Sequence, residues 1–106
     1  MKRQEISAIY KDLSAYAGKT ATVCGWARSI RDSKTLGFID LNDGSSFKGV
    51  QVVFEDEKID NFKEIASQNV GAALIVTGTL IATPEAKQPF EIHAEKIEVE
   101  GPSAPE

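Results

Sequence analysis

At 106 residues, with 42% hydrophobic and 26% charged residues and a formal net charge of −4, the chain has the composition of one soluble globular domain. Folding at this length hides roughly two-thirds of the unfolded surface, which leaves room for one core but not for a core and a deep catalytic cleft. No apolar run approaches the roughly 18 residues of a membrane span, no secretory apolar stretch follows Met1-Lys2-Arg3, and the lone Cys24 staples nothing, so the expected setting is cytoplasmic.

Ile6, Ile9, Tyr10 and Leu13 recur at helical spacing, so a short amphipathic helix opens the domain. It ends near Ala17-Gly18, where glycine can take the left-handed cap. Residues 20–31 read as a first strand broken by Gly25, and residues 36–41 as a second closed by Asn42-Asp43-Gly44. Residues 49–54 make a third strand. A helix follows, with Asp56 as its N-cap, Ile59, Phe62, Ile65 and Ala66 as its apolar face, and an end at residues 69–71. Residues 73–82 and 90–99 supply the fourth and fifth strands.

Three strands, a helix and two strands in about 80 residues is the order of an OB-fold, an all-β class with minor α content. Its five strands form a Greek-key barrel, with one helix between strands three and four and a short helix ahead of the first. Gly25 and Gly78 lie mid-strand, where coiled strands need bulges or bends. Residues 1–101 are the expected domain, and the Gly/Pro/Ser-containing residues 102–106 read as the start of a linker.

Strand alternation separates packing residues from presented ones. Gly37, Ile39 and Leu41 share one face of the second strand, so Phe38 and Asp40 share the other. Val50, Val52 and Phe54 go inward and Gln51 and Val53 outward; Phe90, Ile92 and Ala94 go inward and Glu91, His93 and Glu95 outward. Strands two and three carry the usual oligonucleotide surface of this fold. That surface gains an aromatic ring, Phe38, an amide, Gln51, and a carboxylate, Glu91, with Arg28 and Arg31 at the end of the first strand. Phe38 can stack a base for about 1–3 kcal/mol, and stacking is blind to base identity. The amide and the carboxylate are not: uracil offers a donor at N3 and an acceptor at O4, whereas cytosine reverses both, leaving polar groups unpaired at about 1–3 kcal/mol each.

Charge is distributed unevenly. Residues 1–54 hold eight Lys/Arg against five Asp/Glu, a net of +3, and residues 55–106 hold four against eleven, a net of −7. The stretch from 19 to 48 therefore has the electrostatic reason to face phosphate.

The segment Val23-Cys24-Gly25-Trp26-Ala27-Arg28-Ser29-Ile30-Arg31-Asp32-Ser33-Lys34, followed by Gly37-Phe38-Ile39-Asp40-Leu41-Asn42-Asp43-Gly44, resembles the first two barrel strands of class II asparaginyl-tRNA synthetases. Val50-Gln51-Val52-Val53-Phe54 and Gly78-Thr79-Leu80 follow in the family's order, and Thr83-Pro84-Glu85-Ala86-Lys87-Gln88-Pro89-Phe90-Glu91-Ile92 is similar to its last hairpin. The match covers residues 6–101. The related aspartyl enzymes share the Gly-Trp and Arg-Asp elements, but their arginine-rich continuation is replaced here by Arg28-Ser29-Ile30-Arg31. The resemblance implies an anticodon-binding domain that reads a central uridine. It places the stacking aromatic on Phe38, the uridine-reading glutamine on Gln51, the carboxylate on Glu91 and the basic contacts on Arg28 and Arg31, with Lys34 in the adjoining loop beside phosphate. It also implies a full-length, homodimeric asparagine–tRNA ligase using ATP and magnesium in a catalytic domain outside these residues. The 106-residue chain itself, expected to be monomeric, would hold no catalytic residues and no cofactor.

His93 and Cys24 lack the partners a zinc site requires, and no activated nucleophile is evident. Trp26 is expected in the core or at its rim, and Cys24 as a small strand residue. Two other readings remain open: a general single-stranded nucleic-acid-binding barrel, and a protein-interaction barrel docking through its edge or its first helix.

Overall fold

The structure is a computed structural model that describes residues 5–45, 49–83 and 90–101. The expected linker at 102–106 and the 84–89 part of the last hairpin lie outside the described residues. Two short helices, α1 (Ile6–Lys11) and α2 (Leu13–Tyr16), precede β1 (Thr20–Asp32), β2 (Leu36–Asn42) and β3 (Val50–Glu55). Helix α3 (Phe62–Ala66), β4 (Ala73–Ala82) and β5 (Phe90–Gly101) follow. The strands close a barrel in the order β1-β2-β3-β5-β4, with β3 and β5 parallel and the other pairs antiparallel.

Alternation builds the core as expected. Ile39 and Leu41 from β2, Val50, Val52 and Phe54 from β3, and Phe90, Ile92 and Ala94 from β5 are all buried, whereas Phe38, Asp40, Gln51, Val53, Glu91 and His93 are half-buried on the outer face. Gly37 leaves room for a core ring, because a methyl group there would fall onto the ring of Phe54.

The helices differ from the sequence reading. The opening segment divides at Asp12, whose φ of −144° and ψ of 64° leave helical space, although Ile6 and Ile9 are buried as expected. Gly18 takes a φ of +79° just after α2. Asp56 is not an N-cap: its N–H donates to the Thr35 carbonyl, and the segment up to Asn61 is turn. Asn61 instead precedes α3, and its Nδ2 donates to the Ile97 carbonyl at 2.9 Å, tying the helix to β5. Helix α3 stops at Ser67, ahead of the expected 69–71, and Gly71 turns at a φ of +95° to donate its N–H to the Ala27 carbonyl. Ile59, Phe62 and Ile65 still plug the barrel end.

The strand irregularities also fall differently. Gly25 keeps regular pairing with Leu74, and the β1–β2 register slips instead between Ala27 and Ser29, which makes Arg28 an extra, bulged residue. Gly25 serves another need, since a side chain there would strike the Asn42 carbonyl. Gly78 does sit beside a slip, opposite Ala94, with Glu95 the extra residue on β5.

Candidate nucleic-acid interface

The outer face of β1, β2, β3 and β5 gathers the sequence-predicted residues by register. Arg31 pairs across β1–β2 with Phe38, Ser29 with Asp40, Asp40 across β2–β3 with Gln51, and Gln51 across β3–β5 with Glu91. A single lateral row therefore runs Ser29, Asp40, Gln51, Glu91, with Arg31 and Phe38 in the next outward row.

The bulge at Arg28 makes this row possible. Ala27 is buried, so strict alternation would send Arg28 outward, Ser29 inward, Ile30 outward and Arg31 inward. One extra residue reverses the parity beyond it. Ile30 then pairs with buried Ile39, and Arg31 joins Phe38 outside. Arg28 is itself exposed, so two arginines three positions apart both leave the core.

The Arg31 guanidinium carbon lies 5.7 Å from the centroid of the Phe38 ring, within cation–π range. Among the described residues neither Arg28 nor Arg31 forms an ion pair with Asp32 or Asp40. Gln51 Nε2 donates to Glu91 Oε2 at 3.1 Å, and the other carboxylate oxygen, Oε1, meets His93 Nε2 at 2.7 Å. Phe38, Gln51, Arg31, Ser29, Ile39 and Asp40 line a cavity of about 200 Å³. Asp40 Oδ1 is buried and accepts no hydrogen bond among the described residues. Its charge reaches Tyr10, whose phenol is pushed above its ordinary range first by burial and then by Asp40.

Lys34 stands apart. It is exposed in the β1–β2 turn and lines a different cavity, of about 530 Å³, together with Asp56, Phe62 and Lys63. His93 was absent from the sequence-predicted site although alternation had already put it outward with Glu91. Its signal was the i, i+2 spacing, which leaves two side chains on one face of a strand about 6.5–7 Å apart along the backbone. Trp26 is a rim residue, 43% exposed beside Gly44. Cys24 is a half-buried strand residue whose thiol donates to Glu100. No group of three His, Cys, Asp or Glu suited to a metal occurs among the described residues, and no described helix is long and apolar enough to cross a membrane.

Residues 21–100 match the tRNA anticodon-type OB-fold nucleic acid binding domain. The chain belongs to that family. It is 53% identical over all 106 residues to an asparagine–tRNA ligase of Acetivibrio thermocellus, covering 23% of that protein. It is 55% identical over 101 residues, 95% of its length, to an asparagine–tRNA ligase of Bacillus cereus, covering 22% of it. This OB-fold domain thus spans less than a quarter of the length of these curated relatives. In fold it superposes on asparaginyl-tRNA synthetase from Pyrococcus horikoshii with a TM-score of 0.83 at 20% identity, over 98% of this chain and 23% of the other.

Proposed function

We propose that this barrel reads the anticodon of the asparagine tRNA through its central uridine, as the recognition part of a cytoplasmic asparagine–tRNA ligase. Phe38 stacks the uracil, Gln51 and Glu91 meet its Watson–Crick edge, and Arg28, Arg31 and Lys34 contact phosphate. The observation that carries this reading is the register that sets Gln51 beside Glu91, with their side chains hydrogen-bonded, one row from an outward Phe38. Single-stranded RNA is recognised in this way, by unstacked bases laid on aromatic rings and hydrogen-bonded at their edges.

The long relatives support the wider proposal that a full-length, homodimeric enzyme joins asparagine to its tRNA with ATP and magnesium. The chain spans less than a quarter of those relatives, and the part proposed for it is RNA binding and base selection. Titration of the chain with two anticodon stem-loops, one carrying a central uridine and the other a cytidine, tests the reading. Uridine should bind at least about fivefold more tightly, the lower cost of one unpaired buried polar group. Equal affinity for the two loops would remove it.

A further inference from the structure

Glu91 stands between two donors. Gln51, its register partner on β3, holds Oε2 through Nε2 at 3.1 Å, and His93, two residues along β5, meets Oε1 through Nε2 at 2.7 Å. An ionised carboxylate only accepts. Gln51 therefore turns its nitrogen, not its oxygen, toward Glu91, and the contact with His93 calls for the tautomer with its proton on Nε2.

The sense of that amide decides what Gln51 can read. A glutamine amide rotated by half a turn exchanges donor for acceptor at the same position. One orientation suits uracil, which donates at N3 and accepts at O4; the other suits cytosine, which does the reverse. A Gln51 that turned freely would serve both pyrimidines. Discrimination needs a neighbour that accepts and cannot donate, which Glu91 is. Glu91 can hold the amide only if its own carboxylate is held, because it ends a flexible stem. A second donor on the opposite oxygen supplies that restraint, and coupled contacts of this kind act together.

We propose that His93 is a positioning residue for base discrimination: by fixing Oε1 of Glu91 it keeps Oε2 on Gln51, and so sets the donor–acceptor sense presented to the pyrimidine over Phe38. The proposal rests on the anticodon reading above and adds a residue that would touch no RNA atom. His93 packs outside the core, with its side chain 39% exposed against 23% for Glu91. Its replacement should leave the barrel folded.

The test uses the 106-residue chain, its His93→Ala and His93→Gln variants, and stem-loops with central uridine or cytidine. In His93→Ala the uridine loop should bind within about twofold of the unaltered chain. The cytidine loop should tighten about three- to tenfold, the range one net hydrogen bond spans. His93→Gln, which keeps an N–H donor, should restore the original ratio. In the RNA-free chain, the two Nε2 proton resonances of Gln51 should be well separated and converge in His93→Ala. An unchanged ratio together with unchanged Gln51 resonances would overturn the proposal, as would equal weakening of both loops, the mark of a merely structural role. Absence of any uridine preference in the unaltered chain would sink the anticodon reading itself, and discrimination by His93 with it.

Discussion

Phe38 and Tyr10 put aromatic rings to different uses. The Phe38 ring lies half-buried on the outer face with Arg31 near it. Phe38→Ala should weaken binding of the uridine stem-loop by about 1–3 kcal/mol, measured by calorimetry, while the unfolding midpoint hardly moves. Tyr10 packs edge-on to Phe90 at 4.9 Å and donates its hydroxyl to the Gly49 carbonyl at 2.8 Å. Burial and then Asp40 raise its pKa above the ordinary 10.0, so the folded chain keeps this proton to higher pH than the unfolded chain does. The stabilising effect is complete below the unfolded value and is lost as pH rises through the folded one. Tyr10→Phe should cost about 0.5–1.5 kcal/mol near neutrality yet show a shallower alkaline decline in urea unfolding. Parallel pH curves for the two proteins would contradict this. At this scale, Phe38, Gln51 and Glu91 were legible because a period of two needs only the strand assignment. The contact between His93 and Glu91 depends on rotamers, and the buried oxygen of Asp40 on how closely Gly49 lies against it, and neither leaves a mark in the residue pattern.

Elements divide along the same line. The strands were legible to within one or two residues at each end, since turn residues bound them and buried aliphatics mark their period. The helices were not. Pieces of six, four and five residues are too short to persist by propensity, so their ends follow what they dock against. Helix α1 begins where the Ile6 N–H meets Asp43 Oδ2 at 2.9 Å and the Ser7 N–H meets Ser45 Oγ at 3.0 Å. The caps of this helix thus lie nearly 40 positions away in sequence. Asp43→Ala should cost about 1–2 kcal/mol of stability, and a melting temperature that does not change would refute that assignment. The bulge at Arg28 was equally hidden: two arginines three apart read as outward only if one residue is extra. Deleting Arg28 removes the bulge but leaves Ser29 outward, Ile30 inward and Arg31 outward, whereas inserting one alanine after Ser29 turns Ile30 out of the barrel and Arg31 into it. The insertion should give a chain without a cooperative unfolding transition, whereas the deletion and Arg28→Ala should both fold cooperatively.

For the whole molecule, the charge balance decides how RNA can lie on the barrel. Net charge is −4, and the acidic half places Asp60, Glu64, Glu95 and Glu98 around a cavity of about 490 Å³, where they outnumber Lys58 and Lys96. A polyanion is repelled there and drawn to the side bearing Arg28, Arg31 and the β1–β2 turn. Each phosphate neutralised on a single strand contributes about −0.7 to the slope of log affinity against log salt. Three basic contacts therefore give a slope near −2, shallow for a nucleic-acid-binding protein. Arg28→Ala, Arg31→Ala and Lys34→Ala should each make it shallower by about 0.7. Phosphate contacts carry no base information, so none of the three should change the ratio of uridine to cytidine binding. Titrations of both stem-loops at four salt concentrations separate the two effects. A substitution at Lys34 that leaves the slope unchanged would confine the RNA to the Phe38 side of the barrel, away from α3, and a change in the base ratio on replacing Arg31 would move that residue from phosphate contact to the base itself.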